Sequence, residues 1–138
     1  MQVNLLFCSL TRNFVAKKQP CNMSTKMNFT DTQKEAIVSL IIEMINVDND
    51  INLQEMRVSN LINAELAITD DIFNVGRALD VQFAVEITRC MNDEQKIFVA
   101  QLLTRIIDAD ERVDDSEIAF LNWVCQQTGI DILLHRMP

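Results

Sequence analysis

Glycine and proline are scarce in this chain of 138 residues, which contains two of each. Sheet proteins with many tight turns usually need more of both, so the composition favours helices. Histidine occurs once, as His135. A single histidine is too few for the Glu-x-x-His pairs of a di-metal helical enzyme and offers little to a zinc site. No stretch reaches the roughly 18 uncharged apolar residues of a membrane-spanning helix.

What the chain does contain fits one folded domain. Its length is enough to bury an ordinary hydrophobic core without metal or disulfide bonds, and apolar residues make up 49% of it. No alternating strand pattern competes with the helical periodicity, so we predict an all-α bundle of about six or seven helices. We expect residues 1–26 to be a poorly ordered extension and residues 27–138 to form the helical domain.

Charge is divided unevenly along the sequence. The whole chain carries 12 basic and 20 acidic residues, for a net charge of −8. Its first 26 residues hold four of the basic residues and no acidic one, which leaves a net charge of −12 from Met27 onward. Such a body repels phosphate backbones and anionic lipids, so we expect no binding to nucleic acid and no membrane insertion. Divalent cations and basic protein surfaces are the expected partners.

The four cysteines are too scattered to form a zinc motif. They are Cys8, Cys21, Cys90 and Cys125, and no two of them make a Cys-x-x-Cys pair. Cys90 and Cys125 stand among apolar residues at helical spacing, which predicts that both pack as small hydrophobic side chains. We therefore expect a reducing compartment and place the protein in the cytoplasm.

A repeat organises the acidic part of the chain. Residues 29–62 align without gaps on residues 91–124, with eight identities and a matching hydrophobic phase. This agreement predicts an internal duplication. Each copy is typical of two helices joined by a short acidic connection, and the first helix of each copy opens with a capping box. The two predicted boxes are Thr30 with Gln33 and Asn92 with Gln95.

The remaining helices are placed by their own start and stop signals. The second helix of each copy is predicted at about 53–67 and 115–128, the latter ending near Gly129. Between the copies we expect short helices, one capped by Asp70 or Asp71 and another by Asp80. Three side chains in this stretch are expected on an inward face: Phe83, Ile87 and Cys90. A final turn is predicted around residues 132–134.

The acidic connections share the pattern Asp-x-x-(Ile/Val)-(Asn/Asp)-x-x-Glu, and two interpretations of it remain open. Asn52 and Asp114 are good N-cap residues, and a glutamate follows each at the capping-box position, so the motifs can serve as helix caps. Hard divalent cations also bind several carboxylate oxygens, so the density of acid favours a cation site of the calcium or magnesium type. Its candidate ligands are Asp48, Asp50, Glu55, Asp110, Asp114 and Glu117. The first connection is not an EF-hand loop, because Leu53 stands at the position that requires glycine.

These connections resemble the motif of the TerB-like tellurite-resistance family, alanine-aspartate-glycine-x-isoleucine-aspartate-x-x-glutamate, which occurs in each half of a duplicated helical unit. The resemblance covers residues 27–135 and extends to domains at the front of some membrane-tethered co-chaperones. It implies an all-helical fold, a role in resistance to tellurite and other stresses, and an acidic surface that engages metal ions or partner proteins. The residues that match the motif are Asp48, Glu55, Asp110, Asp114 and Glu117. The departures from it are Asn52 for the second aspartate and Asn49 and Glu111 for the glycines.

We therefore predict a non-catalytic, TerB-like stress-response protein whose acidic end binds divalent cations or a basic protein partner. The expected protein partners are other stress-response proteins or a basic protein surface. The alternative is a protein-interaction or scaffolding module without a metal site, in which the acidic motifs only cap helices. Catalysis is not expected, because the sequence offers no Cys–His pair at a useful spacing and no glycine-rich loop for phosphate.

Overall fold

The computed structural model describes residues 27–47, 53–109 and 115–136, and within these ranges it contains seven α-helices and no strand. This confirms the predicted all-α bundle. In chain order the helices are α1 (Asp31–Asn46), α2 (Leu53–Glu65), α3 (Asp70–Ala78), α4 (Val81–Arg89), α5 (Asp93–Ala109), α6 (Asp115–Thr128) and α7 (Ile130–Arg136). The predicted N-terminal extension and the middle of each acidic connection lie outside the described residues.

Helices α1 and α5 form the centre of the bundle. In α1 every residue from Ala36 to Ile41 is buried, and in α5 the same is true from Val99 to Thr104. A run of buried residues longer than one turn means that a helix is enclosed on all sides rather than along one stripe. Accordingly α1 packs against α3, α4, α5 and α6, whereas α5 also packs against α2, α6 and α7.

The central helices begin where the sequence predicted. The Thr30 hydroxyl accepts a hydrogen bond from the Gln33 amide at 3.1 Å, and the Gln33 side chain accepts one from the Thr30 amide at 2.9 Å. Asn92 and Gln95 make the same reciprocal pair at 2.8 and 3.1 Å. Both predicted capping boxes are therefore confirmed, and each satisfies two backbone donors that a helix start leaves without partners.

The start of α3 differs from the prediction. Its N-cap is Thr69, whose hydroxyl accepts from the Ile72 amide at 3.2 Å. Asp70 and Asp71 instead occupy the first turn, where carboxylates are favoured by the positive end of the helix dipole. The predicted cap of α4 is confirmed, because Asp80 accepts from the Gln82 amide at 3.0 Å.

The orientation of α4 also corrects the prediction. Its buried residues are Ala84, Val85 and Thr88, which face α1. Phe83 keeps 64% of its surface exposed and Cys90 is exposed, so the expected inward face was wrong for both. The physical reason is that small side chains such as Ala84 let α4 approach α1 more closely than phenylalanine would.

The C-terminal part closes against α5. Gly129, with φ of 82°, separates α6 from α7, and the predicted final turn is a helix of seven residues. Ile130 and Leu134 of α7 are buried in the core. The aromatic side chains of Phe120 and Trp123, 5.9 Å apart between ring centroids, are half-buried against the same core.

Candidate functional site

The two acidic connections join central helices to outer ones. The first leaves α1 after Val47, its C-cap, and enters α2 at Leu53; the second leaves α5 after Ala109 and enters α6 at Asp115. Four of the six candidate ligands lie outside the described residues: Asp48, Asp50, Asp110 and Asp114. The other two stand in first helical turns, Glu55 in α2 and Glu117 in α6.

Glu117 is the candidate ligand whose surroundings the structure describes. It is the third residue of α6, and its side chain is fully buried, whereas Asp115 beside it is exposed. Burying a carboxylate is costly unless other groups compensate it, and the first turn of a helix supplies both backbone donors and a positive dipole end. The position is the one at which a capping box places glutamate.

Hydrogen bonds between polar side chains join the N-terminal ends of the two central helices, and we call this contact the Gln33–Gln95 joint. The Gln95 side-chain amide donates to the Gln33 side-chain oxygen at 3.3 Å and to the Asn28 carbonyl at 2.8 Å. Helices α1 and α5 contain 16 and 17 residues, so each then extends by about 24 Å. Each acidic connection therefore begins at the end of its central helix that lies farthest from this joint.

Basic side chains offset little of the acidic charge in the described residues. Two ion pairs form there, Arg89 with Glu86 at 2.9 Å and Arg105 with Glu65 at 3.0 Å, and all four side chains are largely exposed. Exposed pairs of this kind contribute about 0–1 kcal/mol each. The negative charge predicted from the sequence is thus carried on the folded surface with few local counter-charges.

Asp108 lies on the last turn of α5, next to the second connection. Burial of its carboxyl group raises the pKa of Asp108 above its usual range, although the residue as a whole remains exposed. Desolvation has this effect because it disfavours the charged form of an acid. Asp108 thus adds an acidic group at the last turn of α5, and its carboxyl takes up a proton more easily than a free carboxyl does.

Within the described ranges, no group of three or more histidine, cysteine, aspartate or glutamate side chains is placed to hold a metal ion. Most of the candidate ligands are not among those residues, so the cation site stays a prediction. The cysteine expectation is half right. Cys125 is buried, and burial together with the charge of Asp131 raises the pKa of its thiol to about 12, so it packs as an inert hydrophobe; Cys90 is exposed.

Two features escaped the sequence reasoning. One is the outward position of Phe83, described above. The other is Gln101, which is buried in α5 while neither polar atom of its amide has a hydrogen-bond partner among the described residues. Ser39, which aligns with Gln101 in the predicted repeat, donates to the Leu79 carbonyl at 3.0 Å. A polar residue inside an apolar helical run is the signal that marks such positions.

A solved structure shares this fold. The crystal structure of PG1108, a protein of unknown function from Porphyromonas gingivalis W83, matches with a TM-score of 0.65 and 24% sequence identity. The match covers 75% of this chain and 87% of that one, so it shows that the helical architecture is common to both. No protein-family model and no curated protein matches the sequence. Among the helices described, none has the length and apolar character needed to cross a membrane.

Proposed function

We propose that this chain is a non-catalytic stress-response protein of the TerB-like type, whose acidic end binds divalent cations or a basic protein surface. The observation that carries the proposal is the excess of acidic over basic residues in the chain from Met27 onward. Eight basic residues face 20 acidic ones from Met27 onward, and two of the basic side chains are seen in exposed ion pairs. A surface of this kind attracts cations and basic groups through its long-range field.

The arrangement of the central helices supports placing the site at the connections. Both connections begin far from the Gln33–Gln95 joint. Asp108 extends the acidic run of the second connection, residues 110–117, into α5. Oxygen ligands from carboxylates are those that calcium and magnesium prefer. Helix ends that are held by the core would give such ligands a fixed base.

A second candidate function is favoured by the burial of Glu117. A glutamate that is enclosed at the third position of α6 fits a helix-capping role. In that case the connections only terminate and start helices, and the protein is a scaffolding module that binds other proteins through different surfaces.

Thermal unfolding of the full chain with calcium, magnesium, manganese or zinc, at constant ionic strength, separates the two functions. One ion at about 100 times its dissociation constant should stabilise the parent by roughly 2.7 kcal/mol. A variant with Asp48→Asn and Asp110→Asn should lose that gain, because the amide is a weaker cation ligand than the carboxylate.

The matched control is the variant with Asp31→Asn and Asp93→Asn. These residues are exposed in the first turns of α1 and α5 and are separated by the same 62 residues as Asp48 and Asp110. Their substitution removes the same amount of charge, but at the opposite ends of the central helices from the connections. The control should keep the full cation response. Equal, small responses of all three proteins to every ion would exclude the cation site and favour scaffolding.

The stress-response part of the proposal has its own test. Expression of the parent in a tellurite-sensitive bacterial host should raise the tellurite concentration at which growth stops, and the Asp48→Asn, Asp110→Asn variant should not. A host that grows equally well with the parent and with an empty vector would contradict this role.

A further inference from the structure

We draw no further inference here: the strongest candidate, the exposed apolar patch on α4 around Phe83 and Cys90, carries none, because nothing in the described residues shows what covers it and the acidic groups beside it already serve in a helix cap and in an ion pair with Arg89.

Discussion

Of the two glycines in the chain, Gly76 is the one at which an added methyl group should disturb the bundle more. Helix α3 crosses α1 so closely that a Cβ built on Gly76 would lie 2.6 Å from the Val38 Cβ and 2.8 Å from the Glu35 carbonyl oxygen. The first contact involves a stiff β-branched side chain and the second a backbone atom. Neither can move aside unless α1 or α3 shifts, and α1 is buried on all sides along residues 36–41.

Two opposing effects set the size of the change for Gly76→Ala. Alanine is favoured over glycine inside a helix by about 0.5–1 kcal/mol. Overpacking a well-filled core costs about 1–3 kcal/mol, and contacts as short as these belong at the upper end of that range. We therefore expect a net destabilisation of about 2 kcal/mol, which corresponds to a fall in the melting temperature of roughly 6–10 °C for a chain of this size.

The assay is urea unfolding of the full chain followed by far-UV circular dichroism. Gly76→Ala should lower the midpoint without changing the slope, because the native fold is kept but weakened. Gly129→Ala is the informative comparison. A Cβ built on Gly129 would have no atom within 4 Å, but the φ of 82° at this position disfavours alanine. It should cost about 1 kcal/mol through the backbone alone. A Gly76→Ala protein at least as stable as the parent would refute the tight α1–α3 contact.

Two further predictions concern other local features. Ala67 lies two residues after the end of α2 and has a φ of 55°, and the Ile68 amide beside it donates to the Asn63 carbonyl. Ala67→Gly should therefore stabilise the protein by about 0.5–1 kcal/mol in the same urea assay, and a loss of stability would contradict this strain. Burial raises the pKa of Asp108, so the folded protein holds that proton more tightly than the unfolded chain does, and the contribution of this group to stability is lost as pH rises through its folded pKa. Asp108→Asn should therefore raise the melting temperature at neutral pH, and the gain should vanish below about pH 3.9, where the carboxyl is protonated in both states.

Much of the helical layout was accessible from local sequence signals. Thr30 with Gln33 and Asn92 with Gln95 act within one turn of the chain, so their pattern is enough to place the starts of α1 and α5. Gly129 after a helical pattern likewise predicted the end of α6, because a residue in the left-handed conformation there stops a helix. The N-cap of α3 was harder to predict from the sequence, because Thr69, Asp70 and Asp71 are adjacent and all three residue types are competent caps.

The candidate site was predicted less completely. The sequence located the acidic connections and the chemistry they favour, but it did not distinguish a ligand from a cap at Glu117. Only the tertiary structure shows that this side chain is enclosed. Likewise, helical periodicity predicted that the apolar stripe through Phe83 would face inward. The structure shows that Ala84, Val85 and Thr88 of α4 occupy the core instead.

The sequence by itself determined the helical class, the starts of the two central helices and the concentration of acidic charge, because composition, caps and periodicity act over a few neighbouring residues. The tertiary structure decided which faces meet. Ala84 rather than Phe83 turns to α1, and Gly76 allows the close approach of α3 to Val38. Gln95 reaches Gln33 across 62 residues of chain. These outcomes depend on the fit between surfaces distant in sequence, where the volume of each side chain is tested against its neighbours in space.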